Sequence, residues 1–138
     1  MKKRKLQKQI AALPYRRDGK GIEVLLITSR ETRRWVIPKG WPMRGKKDWH
    51  AAALEAFEEA GVEGKIGKKS IGRYVYDKRL ASGKSAPTEV TVYPLSVNVI
   101  LGQWPEKPER RRKWMNAAEA AEQVMEDGLK AIIQATLV

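Results

Sequence analysis

The sequence predicts one layered domain of the α/β (α+β) class, in which helices pack on a mixed β-sheet. Three observations support this prediction. Several short segments are rich in Val, Ile and Tyr, a stretch rich in Ala, Leu and Glu has strong helix signals, and turn residues separate these segments. The chain has 138 residues, 42% of them apolar and 32% charged, which suits one globular unit. We therefore expect a single domain over residues 1–138, with a flexible basic N-terminus over residues 1–8.

The first elements are predicted to be an antiparallel hairpin. Residues 10–15 and 22–27 are β-rich and flank the sequence RRDGKG. In that connection Asp18, Gly19 and Gly21 supply the positive φ that hairpin turns need. A brief strand follows at residues 35–37, and Gly and Pro residues then keep the chain irregular as far as Lys47.

The most clearly marked helix covers residues 49–60. Asp48 is a favourable N-cap, and Gly61 is the residue expected just past a helix C-terminus. Its apolar stripe is predicted to pack on the sheet. The stripe consists of Ala53, Leu54, Phe57 and Ala60.

The second half predicts two strands followed by two helices. Residues 70–76 and 89–101 are the strand candidates, joined by a loop over residues 77–88. Asn116 followed by Glu119 resembles a capping box and begins a helix over residues 117–126. Asp127 is then predicted to cap a last helix that runs through residue 137.

The charge balance indicates an anionic partner. The chain carries 28 Lys and Arg against 16 Asp and Glu, for a net charge of +12. Such a field attracts nucleic acid, anionic lipid or a phosphate-rich metabolite. The absence of cysteine excludes structural disulfides, thiolate zinc sites and cysteine nucleophiles. No apolar run is long enough to cross a bilayer, so we expect a cytoplasmic protein without a membrane partner.

Three glutamates occupy one helical face against the local electrostatics. Glu55, Glu58 and Glu59 stand at i, i+3 and i+4 in the predicted helix, and two of them lie near its C-terminus, where anions are disfavoured. A divalent cation would reverse this cost, because Mg²⁺ and Mn²⁺ prefer carboxylate oxygens. The alternative is a solvated acidic face neutralised by lysines such as Lys65 and Lys68.

Residues 40–62 resemble the box of the Nudix hydrolase superfamily, G-x5-E-x7-R-E-U-x-E-E-x-G-U with U a bulky aliphatic residue. The matching positions are Gly40, Glu55, Glu58, Glu59, Gly61 and Val62. The box is incomplete, because Lys46 stands in place of its first glutamate and Leu54 in place of its arginine. Ala56, at the first U position, is a milder departure.

The resemblance implies an α/β/α sandwich and a hydrolase that depends on a divalent cation, Mg²⁺ with Mn²⁺ as an alternative. It implies that Glu58 and Glu59 are the principal metal ligands and that Glu55 is a ligand or orients the attacking water. Gly40 then lies in the loop whose backbone helps to hold metal. Because this metal-binding set is kept, we favour an active enzyme over a degenerate one.

The flanks look most like the diphosphoinositol polyphosphate and diadenosine polyphosphate hydrolase branch. By that resemblance Ser29 and Arg30 line the phosphate site, and Lys39 matches the lysine of the PKG sequence of the diadenosine branch. Arg111, in the cluster RRRK, meets the far phosphates of the substrate. The implied activity is pyrophosphatase cleavage of a phosphate-rich small molecule by a monomer or homodimer. Glu89 and Glu106 are candidates for a metal ligand outside the box. Trp35, Trp41 and Trp49 stack a nucleobase or fix the loop to the core.

Two alternatives use the positive charge differently. The chain could be a basic RNA-binding protein with a degenerate Nudix box, supported by KKRK at residues 2–5 and RRRK at residues 110–113. It could also remove pyrophosphate from RNA 5′ ends, which would use both the glutamates and the basic clusters.

Overall fold

A computed structural model describes residues 6–136 as one eight-stranded sheet with helices on both faces. The strands are β1 (Gln7–Asp18), β2 (Gly21–Thr28), β3 (Trp35–Val36), β4 (Lys39–Gly40), β5 (Val62–Ile66), β6 (Gly72–Arg79), β7 (Ser85–Ile100) and β8 (Arg112–Asn116). The helices are α1 (Asp48–Glu55), which continues as a π-helical segment (Ala56–Ala60), then a 3₁₀ turn (Lys107–Glu109), α2 (Ala117–Gln123) and α3 (Asp127–Ala135).

The sheet is mixed, as predicted. Its main path runs β3-β2-β1-β7-β5, and β4, β6 and β8 pair with β1, β7 and β2 respectively. Strands β1 and β7 are parallel, in a register from Gln7 opposite Thr88 to Tyr15 opposite Ser96. The other pairings are antiparallel.

The two faces of the sheet bury two separate cores. Successive side chains of β1 alternate between them, because strand side chains have a period of two. Ala11 and Leu13 join the core beneath α2 and α3, whereas Ile10 and Ala12 join the core beneath α1. This arrangement is the expected α/β/α sandwich.

The predicted hairpin is present, and its strands are longer than expected. Asp18 pairs with Gly21, so only Gly19 and Lys20 lie between the two paired positions. Gly21 has a φ of 144°, whereas Asp18 and Gly19 are not among the positive-φ residues, so the positive φ predicted for these two was wrong. Strand β1 also includes Gln7 and Lys8, which were expected in the flexible N-terminus, and residues 1–5 of that prediction lie outside the described residues.

Helix α1 lies where it was predicted, but its start and its buried face differ. The N-cap is Lys47, so Asp48 is the first helical residue and not the cap. The residues packed against the sheet are Ala51, Ala52, Ala56 and Ala60. Of the predicted stripe only Ala60 is buried, while Ala53, Leu54 and Phe57 are half-buried. The small alanines allow the helix backbone to approach the sheet closely.

The second half departs from the prediction mainly at element ends. Most of the predicted loop 77–88 is strand, because β6 and β7 extend to a tight turn over residues 80–84. The short strands β4, β5 and β8 were not predicted. Helix α2 ends at Gln123, the N-cap of α3 is Glu126, not Asp127, and residue 137 lies outside the described residues. The Asn116 cap is present, its Oδ1 accepting from the Glu119 N–H at 2.8 Å.

None of the helices within residues 6–136 has the length and apolar character needed to span a membrane.

Candidate active site

Gly40 and Glu55 are in direct contact, although they are 15 positions apart in the sequence. Strand β4 pairs with β1, with Gly40 opposite Ile10, and this pairing holds the Gly40 backbone under the end of α1. A Cβ atom added to Gly40 would lie 2.4 Å from Cδ of Glu55 and 2.6 Å from each of its carboxyl oxygens. Only glycine leaves room for this carboxyl group.

Glu59 lies beside Glu55 and is buried, with 7% of its surface exposed. Its Oε1 accepts a hydrogen bond from the Lys39 backbone N–H at 3.2 Å. Burial raises the pKa of Glu55 to about 8, and a hydrogen bond with Glu59 and the charges of Glu59, Glu58 and Glu106 act in the same direction. The two carboxyl groups are therefore so close that ionisation of Glu59 disfavours ionisation of Glu55.

Arg110 partly neutralises this pair. Burial raises the pKa of Glu59, and the charge of Arg110 opposes that rise. The Arg110 Nη2 lies 3.6 Å from Glu59 Oε1, and its Nε donates to Glu106 Oε1 at 2.9 Å. Only 8% of the Arg110 side chain is exposed. A buried guanidinium thus links Glu59 to Glu106.

Glu58 is half-buried in the π-helical segment, and its contacts differ from those of the other two glutamates. Its backbone carbonyl accepts from the Glu106 N–H at 3.0 Å, which ties residues 101–110 to the end of the helix. The wider π turn changes the side-chain spacing from that of an α-helix.

Trp104 and Arg112 close the C-terminal end of this helix. The Trp104 Nε1 donates to the Glu59 carbonyl at 3.1 Å. Arg112 donates to the Ala60 carbonyl at 2.9 Å and to the Gly61 carbonyl at 3.2 Å, and its guanidinium lies 3.9 Å from the Trp104 ring centroid. These contacts satisfy carbonyl groups that every helix end leaves without partners.

Lys39 lies on the other side of Glu59, between the site and an aromatic side chain. Its Nζ is 5.2 Å from the ring centroid of Tyr76, whose hydroxyl donates to Gln9 Oε1 at 2.7 Å. Burial lowers the pKa of Lys39 to about 8, although the charges of Glu59 and Glu126 oppose this. Nearby anions therefore favour the charged form of this buried lysine.

A second, part-buried ion pair lies at the start of α3, and its charges act on Lys39. Arg34 Nη1 donates to Glu126 Oε2 at 2.6 Å, and 9% of the Glu126 side chain is exposed. The other carboxyl oxygen of Glu126 is buried without a hydrogen-bond partner in the described part of the chain. The charges of Arg34 and Lys78 both lower the pKa of Lys39, so positive charge gathers on this side of Glu59.

Comparison with known proteins decides the family. A family model described as the NUDIX domain matches residues 5–135. The chain belongs to the Nudix family. It is 34% identical over 121 residues to Nudix hydrolase 17, mitochondrial, of Arabidopsis thaliana, which covers 82% of this chain and 64% of that protein. It is 30% identical over 116 residues to the diphosphoinositol polyphosphate phosphohydrolase 3-beta of Bos taurus, covering 83% of this chain and 66% of that protein.

The chain spans less than two thirds of the length of the plant relatives Nudix hydrolases 17 and 16, at 64% and 59%. Among solved structures, the binary complex of a C. elegans Ap4A hydrolase superposes with a TM-score of 0.67, 22% identity and 93% coverage of both chains. The Nudix domain of Shewanella oneidensis NrtR, crystallised with ADP ribose, gives a TM-score of 0.63 at 15% identity. These two similarities confirm the Nudix fold.

The substrate-side residues predicted from the Nudix resemblance are dispersed. Lys39 lies at the site. Ser29 closes a turn, since its Oγ is 2.6 Å from Thr32 Oγ1 and accepts from the Arg34 N–H at 3.2 Å. Arg30 is exposed and pairs with Glu109 at 3.7 Å. Arg111 has an exposed side chain, and its backbone N–H donates to Thr28 Oγ1 at 2.9 Å.

Sequence reasoning missed Arg110, Trp104 and Tyr76. The arginine that reaches the glutamates is Arg110, one residue before the predicted Arg111. Its spacing of four from Glu106 was the available signal, because residues at i and i+4 can pair across one turn. Glu106, a candidate ligand, does lie at the site, whereas Glu89 lies in β7 opposite Lys8 of β1.

The three tryptophans have different roles. Trp35 packs against the core beneath α2 and α3. Trp41 is 45% exposed and immediately follows Gly40, with Lys78 Nζ 5.7 Å from its ring centroid. Trp49 has Lys68 Nζ at 5.1 Å from its ring centroid and the His50 ring at 6.0 Å. Of the three, only Trp41 adjoins the Gly40 backbone directly.

The oxygen donors at Gly40 fit a divalent cation. Across residues 6–136, no three Asp, Glu, His or Cys side chains are arranged as a ready metal-binding group. Two carboxyl groups do come together, those of Glu55 and Glu59. Mg²⁺ commonly takes only one or two protein carboxylates and completes its shell with water and substrate phosphates. The residues present therefore suit such an ion, and the ligand roles of Glu55, Glu58, Glu59 and the Gly40 backbone stay predictions.

Proposed function

We propose that this chain is a divalent-cation-dependent pyrophosphohydrolase that cleaves a phosphoanhydride bond in a polyphosphorylated small molecule. The cation is Mg²⁺, with Mn²⁺ as an alternative. The substrate is a diphosphoinositol polyphosphate or a dinucleoside polyphosphate such as diadenosine polyphosphate. The family match supports the reaction class, and the names of the relatives support the substrate class.

One observation carries the proposal: the carboxyl group of Glu55 is seated on the Gly40 backbone beside the buried carboxyl group of Glu59. Two buried carboxylates at one place are costly unless positive charge joins them, since like charges disfavour ionisation of both. The residues that would hold a divalent cation are Glu55 and Glu59. When bound, the cation neutralises substrate phosphate charge and lowers the pKa of a bound water.

The residues of the chain then have separate tasks. Glu55 accepts a proton from the attacking water, because its carboxyl group lies beside Glu59, where the cation would hold that water. The water oxygen forms a bond to phosphorus as the anhydride P–O bond breaks, and the leaving phosphate carries the electron pair away. Lys39 supplies positive charge beside Glu59 for the phosphate oxygens.

A cleft lined in part by Trp41, the residue after Gly40, is the proposed path for the rest of the substrate. It has a volume of about 610 Å³ and is open to solvent. Trp41, Lys78 and Arg79 are among its lining residues, which also include Glu31, Leu80, Ala81 and Gly83. The positive charges of Lys78 and Arg79 suit distal phosphates, and Trp41 offers one exposed aromatic face. One face suits an inositol polyphosphate as well as a single nucleobase.

A hydrolysis screen tests the proposal. Dinucleoside polyphosphates, inositol pyrophosphates, nucleoside diphosphate sugars and 5′-triphosphate RNA are each incubated with the protein and Mg²⁺ or Mn²⁺, with EDTA as the negative control. We expect turnover of an inositol pyrophosphate or a dinucleoside polyphosphate that E59Q abolishes. E63Q is the matched control, because Glu63 is an exposed carboxylate in β5. Turnover that survives E59Q would reject the mechanism.

The same screen separates the RNA alternatives that the net charge of +12 motivates. An RNA 5′-pyrophosphohydrolase would release pyrophosphate from the triphosphate RNA in preference to the small molecules. A basic RNA-binding protein would hydrolyse none of the compounds and would bind RNA with a steep salt dependence that EDTA does not change. The predicted cytoplasmic location is a separate question, since several plant relatives carry mitochondrial names.

A further inference from the structure

We propose that Arg110 is the positioning residue for Glu59 and thereby takes the place of the arginine that this Nudix box lacks at position 54. The inference rests on the proposed function, because it assigns Arg110 a task within the same site. Leu54 is half-buried and carries no charge, so it cannot orient a carboxylate. The positively charged side chain that orients Glu59 must therefore come from another part of the chain.

Arg110 makes the contacts that this task requires. Its Nη2 lies 3.6 Å from Glu59 Oε1, its Nε donates to Glu106 Oε1 at 2.9 Å, and its Nη1 donates to the Thr28 carbonyl at 3.1 Å. Only 8% of the Arg110 side chain and 10% of the Glu59 side chain are exposed. Three nitrogens with three partners fix the plane of the guanidinium, which lysine cannot reproduce with its single nitrogen.

The backbone on both sides of Arg110 is also fixed. Its neighbour Arg111 exchanges hydrogen bonds with Thr28, as its N–H donates to Thr28 Oγ1 at 2.9 Å and its carbonyl accepts from the Thr28 N–H at 3.0 Å. On the other side, the Glu106 N–H donates to the Glu58 carbonyl at 3.0 Å. Arg110 is thus held between β2 and the helix whose glutamate it contacts.

Two donors of the chain approach the same carboxyl oxygen of Glu59. Both Arg110 and the Lys39 N–H approach Oε1. Oε2 is therefore the oxygen that neither of these donors engages. Because the carboxylate is held at Oε1, its orientation is set before any ligand binds, and partners of this kind typically contribute about 10–100-fold to metal affinity or activity.

Arg112, two residues further along at the start of β8, provides a matched control. It is half-buried and its guanidinium packs on Trp104, but its hydrogen bonds go to backbone carbonyls, those of Ala60, Gly61 and Leu101. Substituting Arg112 therefore removes an arginine that stabilises the helix end without touching the Glu59 carboxyl group. An effect that follows Arg110 but not Arg112 cannot be attributed to loss of an arginine from this part of the chain in general.

The test measures Mn²⁺ affinity per folded protein by electron paramagnetic resonance, together with kcat and KM for the best substrate of the screen and the melting temperature. The variants are R110K, R110M and R112M. We expect R110K to weaken Mn²⁺ binding about 10-fold and R110M about 100-fold, with kcat reduced similarly and KM changed less than about threefold. We expect R112M to lower the melting temperature and to keep the wild-type Mn²⁺ affinity.

The outcomes separate this inference from the proposed function. Wild-type protein that binds no Mn²⁺ and hydrolyses no substrate would overturn both. Wild-type protein that binds Mn²⁺, with R110K unchanged in affinity and kcat, would overturn the positioning role alone. R110K has the same charge and is expected to fold, so the result does not depend on whether R110M folds.

Discussion

Replacing Gly40 with alanine tests the contact on which the candidate site is built. The new Cβ atom would lie 2.4 Å from Glu55 Cδ, whereas ordinary van der Waals contact begins at 3.4 Å, so the carboxyl group must move away by about 1 Å. A displacement of about 1 Å at a reacting group costs about 100-fold in rate. The carboxyl group is the far end of a flexible side chain, so it can move aside at little cost in folding free energy. We expect G40A to lose about 100-fold in kcat and to keep a urea midpoint close to that of the wild type.

The assay compares G40A with G102A, whose added Cβ meets no atom within 4 Å. Turnover is measured on the best substrate of the screen, and stability by urea denaturation followed by tryptophan fluorescence. G102A should match the wild type in both measurements. Wild-type kcat in G40A would refute the reasoning and would remove Glu55 from the mechanism, because displacement of its carboxyl group would then not matter for turnover. A large loss of stability in G40A would show that the Glu55 carboxyl group cannot move aside as expected.

Three further substitutions test other parts of the site. Burial raises the pKa of Glu55 to about 8, so in metal-free buffer the folded state holds a proton that the unfolded chain has released, and stability should fall as the pH rises from about 4.5 to about 8. E55Q should flatten this urea-denaturation profile and, because water screens a part-buried charge, stabilise the protein by about 1–2 kcal/mol at pH 8. Gly61 has a φ of 67°, and an added Cβ would lie 2.6 Å from Trp104. G61A should therefore lower the free energy of unfolding by about 1–3 kcal/mol and alter tryptophan fluorescence. An unchanged melting curve would contradict this prediction. R34M should lower the free energy of unfolding by about 2–3 kcal/mol, because it leaves the buried Glu126 carboxylate without its partner. R34M/E126M should recover most of that loss. Equal losses in the single and double variants would argue against the ion pair.

Local signals in the sequence were sufficient for the hairpin and for the position of α1. Gly21 and Gly61 adopt positive φ, as their places in turn and helix-end patterns predicted. The buried face of α1 was not predictable in the same way, because its alanines occur on several sides of the helix and give no clear apolar stripe. The short strands β4, β5 and β8 are defined by their partners in the sheet. Such pairing is nonlocal and leaves little trace in a segment of two to five residues.

The site was predictable where a motif fixes the spacing. The resemblance brought Gly40 together with Glu55 and Glu59, and the structure places these residues in contact or close by. It did not identify Arg110. This part of the chain is extended, and neighbouring side chains of extended backbone point to opposite sides. Arg111 was predicted for a different task, contact with the far phosphates of the substrate, and with its exposed side chain that role stays a prediction.

The most direct test is a crystal of the protein soaked in Mn²⁺ and measured at a wavelength where manganese scatters anomalously. The central claim is that Glu55 and Glu59 hold a divalent cation beside the Gly40 backbone. We predict an anomalous peak in contact with both carboxyl groups, and no peak at the same place in crystals of E59Q. A wild-type map without a peak there, with Glu59 still bound to Arg110, would contradict the claim.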